Sequence, residues 1–291
     1  MLKGSYVALV TPFNNGEIDY NAFEILMDFH LQNNTDGVLL CGTTGEAPAL
    51  ASDEKERFIR YGMQKCRGKV PVMMGTGTNN LSTTVSQTIK AQEWGVDYAL
   101  VVTPYYNKPT QKGLLEYYKA IADRTDIPLV IYNVPGRTGV NINSETVLEL
   151  AHGSRKIVGI KDAGGNLMQI SRIVKEAPSD FAVMSGEDAL NLPIMSCGGK
   201  GAISVTANIV PQLMHNLIQK CLEGSYSESL HIHLQLLDLN EAMFYETNPI
   251  PVKEALHMMN LIKLEFRSPL CPLLERNRKL LKQVLQKYEL I

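Results

Sequence analysis

The sequence predicts a (β/α)₈ barrel, on three observations. Eight short runs rich in β-branched residues recur at a spacing of roughly 25 residues. Amphipathic helical patterns lie between them, the order that favours a barrel or a doubly wound sheet. No G-x-G-x-x-G follows the first run, which weakens the doubly wound, dinucleotide-binding alternative.

Taken in order, the first strand is Tyr6–Val10, which Pro12 ends. Met1 to Ser5 leads straight into it and is too short for a secretion signal with a cleavage site. Gly37–Cys41 is the second, running into Gly42-Thr43-Thr44-Gly45-Glu46. Ser52 then reads as a helix cap, with Asp53 and Glu54 in a first turn that suits carboxylates. Phe58, Ile59, Gly62, Met63 and Cys66 share one face of that helix. Val70–Gly75 and Tyr98–Val102 follow, the latter leading into Thr103-Pro104-Tyr105-Tyr106-Asn107-Lys108-Pro109. Leu129–Asn133 is the fifth strand, after which Asn143 precedes a helix carrying Val147, Leu148, Leu150 and Ala151. Ile157–Lys161, Phe181–Ser185 and Gly201–Val205 complete the eight, with Gly198-Gly199-Lys200-Gly201 read as a tight turn into the last. That glycine cluster lacks the spacing of a phosphate-binding loop.

Beyond Gly224-Ser225 the rhythm stops. Helices are expected over Tyr226–Tyr245, Val252–Asn260 and Cys271–Glu289, separated by Asn248-Pro249-Ile250-Pro251 and Ser268-Pro269. The expected division is a catalytic barrel over 1–224 and a helical region over 225–291, serving packing or assembly.

The chain has 291 residues, 45% hydrophobic and 20% charged, with a formal net charge of -2, so nothing points to nucleic acid or an anionic membrane. No apolar run is long enough to span a bilayer. Five scattered cysteines without C-x-x-C spacing suit reduced thiols in the cytoplasm. His231 and His233, two apart on a helix, face different ways, and no metal motif is visible.

Chemistry in such a barrel sits at the carboxyl ends of its strands. Lys161 closes an aliphatic strand, and a lysine there needs a reason. Desolvation favours the neutral amine, which condenses with a carbonyl to give an imine, an electron sink for carbon–carbon chemistry. Tyr132 closes the neighbouring strand and can exchange protons with a carbinolamine or aldehyde. Thr43 and Thr44, flanked by glycines, suit a small carboxylate. Arg137, in a loop stiffened by Pro135, can clamp a second carboxylate with its paired N–H fork. Gly186 and Glu187 close the seventh strand, where a glycine lets substrate approach the backbone, and Ile203 lies in the eighth.

These segments, with Gly159-Ile160-Lys161-Asp162-Ala163, the stretch Gly201 to Asn208 and Asn248-Pro249-Ile250-Pro251-Val252-Lys253, resemble the dihydrodipicolinate synthase family. The lysine and tyrosine motifs are shared with other pyruvate-dependent aldolases such as N-acetylneuraminate lyase, and Arg137 is the narrower marker. The resemblance implies condensation of pyruvate with L-aspartate 4-semialdehyde in lysine and diaminopimelate synthesis. It implies an imine on Lys161, proton exchange through Tyr132, and Thr44 linking Tyr132 to a Tyr106 supplied by a neighbouring subunit. Thr43 and Thr44 would hold the pyruvate carboxylate, and Arg137, Gly186 and Ile203 would contact substrate. It further implies a homotetramer built as a dimer of dimers, with no cofactor and no metal. The alternatives are a lyase for sugar acids or keto-acids, which has no need of Arg137, and a keto-acid sensor, which has no need of the Lys161–Tyr132 pair.

Overall fold

Residues 2–291 are described by a computed structural model. Eight parallel strands close into a barrel: β1 (Gly4–Ala8), β4 (Gly37–Leu40), β5 (Val72–Gly75), β6 (Tyr98–Val102), β7 (Leu129–Asn133), β8 (Ile157–Asp162), β9 (Ala182–Ser185) and β10 (Gly201–Ser204). Neighbours in sequence are neighbours around the barrel, and β1 pairs with both β4 and β10 to close it. All eight expected strands are present. β1 begins and ends two residues earlier than the sequence suggested, and β8 runs one residue past Lys161.

Side chains alternate between the barrel interior and the helix-facing side, as the strand period of two requires. Tyr6, Ala8, Leu39, Met73, Leu100, Val130, Tyr132, Met184 and Ile203 form the inner core. The outer faces join the helices in a second, larger core that includes Val7, Val38, Ile131 and Ile160. Gly37 has no alternative there, because the Tyr6 ring lies 2.1 Å from where its Cβ would stand.

Three local features differ from expectation. A two-stranded hairpin, β2 (Phe13–Asn14) with β3 (Glu17–Ile18), follows β1. Its loop residues Asn15 and Gly16 both have positive φ, 55° and 82°, the geometry that an Asn-Gly pair favours. Ser52 is not the helix cap: it is the first residue of Ser52–Cys66, and the N–H of Ala51 instead donates to the Glu54 carboxylate. In the tail, Ile250–Met258 starts before the expected Val252, because Pro251 falls in the first helical turn, where no N–H is missed. The other tail helices are Tyr226–Ala242 and Glu275–Lys287. Among the described residues no helix is long and apolar enough to cross a membrane.

The tail does more than pack. Glu46 and Lys253 form an ion pair at 2.5 Å with side chains 1% and 0% exposed. Lys253 Nζ also sits 4.3 Å from the centroid of Phe13 in the hairpin. Arg267 donates its backbone N–H to Glu46 and pairs its guanidinium with Glu54, which holds that carboxyl down at about 2. Burial pulls the Lys253 ammonium below its ordinary value, and the Glu46 carboxylate opposes that pull. The loop after β4 is thus pinned from behind by the C-terminal segment.

Candidate active site

The carboxyl ends of the strands open into a cleft of about 810 Å³. Lys161 and Tyr132 stand side by side in its wall, because β7 and β8 pair with these two residues in register. Lys161 is 5% exposed and Tyr132 is 8% exposed, and the lysine Nζ lies 4.5 Å from the phenol ring centroid.

The next residues along each strand, Asn133 and Asp162, are also paired in register but face outward. Asn133 Nδ2 donates to Asp162 Oδ2 at 3.0 Å, and the Gly164 N–H donates to Oδ1 at 2.8 Å. Burial raises the Asp162 carboxyl, while those donors and Gln169 hold it back. This network locks the two strand ends whose inner faces carry the lysine and the phenol.

Gly186 is required by the lysine itself. A Cβ at that position would stand 3.0 Å from Lys161 Cγ and Cε and 3.0 Å from Ala163 Cβ. Gly186→Ala should therefore fold but push the amine aside, and a displacement of about 1 Å costs roughly 10²-fold in rate. Steady-state kinetics alongside a circular dichroism melt will check this; an unchanged kcat would show that the stem repacks freely.

Across the cleft, Gly42, Thr43 and Thr44 line the opposite wall. Thr44 is buried, and its Oγ1 accepts a hydrogen bond from Asn248 Nδ2 at 3.0 Å, so its own proton remains to donate. The Asn248 carbonyl accepts in turn from Arg137 Nη2 at 3.0 Å. One asparagine from the tail thus ties the threonine loop to the exposed arginine. Phe244, Glu246 and Thr247 complete the tail's share of the wall.

Two expected site residues do not line this chain's own cleft, and for Tyr106 the expectation was a place in a neighbouring subunit. Ile203 is 1% exposed in the inner core and does not line the cleft. Tyr106 is absent from the cleft of its own chain: it is 90% exposed, with a left-handed φ of 70°. Its neighbour Tyr105 does line the cleft.

Sequence reasoning missed Asn248, Glu187 and the Glu46–Lys253 pair. Burial raises the Glu187 carboxyl and repulsion from Asp188 adds to this, opposed by the Ala189 N–H and the Lys161 ammonium. The signal for Lys253 was a lone ammonium among Pro, Ile and Val residues; Asn248 lies 204 positions from Thr44, so spacing could not pair the two.

The dihydrodipicolinate synthetase family model matches residues 1–288. A 4-hydroxy-tetrahydrodipicolinate synthase of Thermodesulfovibrio yellowstonii is 49% identical over 291 residues, all of both chains. The crystal structure of dihydrodipicolinate synthase from Aquifex aeolicus is 46% identical with a TM-score of 0.98, covering 99% of each chain. A Thermotoga maritima dihydrodipicolinate synthase structure is 43% identical, with a TM-score of 0.98 over 100% of both. With matches of this length and identity, the chain belongs to the dihydrodipicolinate synthetase family.

Proposed function

We propose that this chain is a 4-hydroxy-tetrahydrodipicolinate synthase, condensing pyruvate with L-aspartate 4-semialdehyde through an imine on Lys161. The observation that carries this is a nearly buried lysine held beside a phenol in a cleft that also contains paired threonines and an arginine.

Thr43 and Thr44 receive the pyruvate carboxylate, which turns its carbonyl toward Lys161. The amine adds to that carbon, water leaves, and Tyr132 shuttles the protons. Loss of a methyl proton gives an enamine that attacks the aldehyde of the second substrate, whose carboxylate Arg137 holds. The substrate nitrogen then displaces Lys161 as the ring closes. The protein's own amine serves as the electron sink, so no cofactor is called for. Borohydride reduction in the presence of pyruvate, followed by peptide mass mapping, tests the reading. An adduct on Lys161 is expected, and its absence would favour a keto-acid sensor.

The same reading includes a homotetramer in the cytoplasm, with Tyr106 entering the neighbouring subunit's site. An aromatic ring that is 90% exposed in left-handed backbone supports this, since such a side chain gains little in water. Variants that sediment as monomers should fold but lose about 10²-fold in turnover, the loss a mispositioned proton relay brings. Full activity in a monomer would contradict it.

A further inference from the structure

Five charged residues line the cleft: Lys55, Arg137, Lys161, Glu187 and Glu246. Two of them are carboxylates, and only Glu187 takes no side-chain donor. Glu246 Oε1 already accepts from the Leu274 N–H at 2.9 Å and from Asn277 Nδ2 at 2.8 Å, which holds that carboxylate against the tail. Glu187 takes the Ala189 backbone N–H but no hydrogen bond from another side chain among the described residues, and its carboxyl is near enough to Lys161 to feel its charge. Its position follows from the barrel: Gly186 donates its N–H to the Asp162 carbonyl at 2.8 Å, which places Glu187 at the rim directly beside the end of β8.

The second substrate, on the reading above, is an amino acid as well as an aldehyde. Its carboxylate has Arg137. Its α-ammonium needs an anionic partner and must lose a proton before it can act as a nucleophile, because most of it is protonated at neutral pH. We infer that Glu187 binds the α-ammonium of the aldehyde substrate and serves as the base that frees its nitrogen for ring closure. The inference rests on the synthase reading and extends it to a residue with no role there.

The Glu187 carboxylate takes one proton from the ammonium. The neutral nitrogen forms a bond to the carbon of the protonated Lys161 imine, a proton passes from that nitrogen to Nζ, and the bond from carbon to Nζ breaks. The lysine leaves as a neutral amine and the ring keeps the imine. Burial, which raises the Glu187 carboxyl, brings it nearer in basicity to the group it must deprotonate.

Two aldehydes separate this from a structural role. Succinate semialdehyde has the same carboxylate and aldehyde without the amine. In Glu187→Gln, kcat/KM with aspartate semialdehyde should fall by about 10²-fold or more, the range for a lost general base. Borohydride should then trap the open-chain condensation product on Lys161. The rate at which succinate semialdehyde adds to the pyruvate-charged enzyme should stay within about threefold of the parent, since no proton transfer from nitrogen is involved. Glu187→Asp, which retains the charge, should keep more aspartate semialdehyde activity than the glutamine variant. Equal losses with both aldehydes, or an unimpaired glutamine variant, would overturn the assignment. Failure of pyruvate to label Lys161 in the parent enzyme would instead sink the imine reading on which it stands.

Discussion

Lys161→Ala should lower synthesis by about 10⁴-fold or more while leaving the barrel folded, because the amine is the covalent partner and it alone stands beside the Tyr132 phenol. The side chain is 5% exposed and its stem rests against Gly186, so truncation leaves a small void open to the cleft rather than a sealed cavity. The stability cost should accordingly fall at the low end of the 2–5 kcal/mol typical of large-to-alanine changes. Residual aldehyde consumption should no longer be trapped by borohydride. Substantial turnover in a variant verified by mass spectrometry would mean that carbon–carbon bond formation does not pass through this nitrogen.

Lys253→Met should be the most destabilising single change. It strands the Glu46 carboxylate at 1% side-chain exposure with only the Arg267 N–H for company. Removing one member of a buried pair costs about 3–5 kcal/mol, chiefly because the other charge is left unpaired. Adding Glu46→Gln to the methionine variant should recover most of that loss. Urea unfolding of the single and double variants is the measurement. A single variant within about 1 kcal/mol of the parent would show that the pair contributes little. Since the Glu46 loop carries Thr43 and Thr44, the KM for pyruvate should rise in the single variant and fall back in the double.

The barrel was legible because each strand is a short aliphatic run bracketed by turn chemistry, and because its period of two needs no knowledge of partners. The lysine, the tyrosine and the threonines were legible for the same reason: a strand end is a local feature. Contacts across the chain left no such trace. Asn248 meets Thr44 across 204 positions and Lys253 meets Glu46 across 207, so neither could be paired from spacing. The Asn15-Gly16 hairpin is different: its Asn-Gly signal was present, and the strands are too short to show a period. Ser52 misled because Glu54 takes the Ala51 N–H that a serine cap would have left free. Tyr106 is a third kind of case: under the proposed assembly, its place depends on a second copy of the chain.

The strap formed by Asn248, Lys253 and Arg267 has a consequence for biogenesis. A ribosome emits all eight strands before any of these three residues, so the nascent barrel emerges with its threonine loop untethered and one wall of its cleft missing. Competence therefore arrives only after Arg267 has been made. A truncated product would be left with the reactive amine but without the geometry to use it.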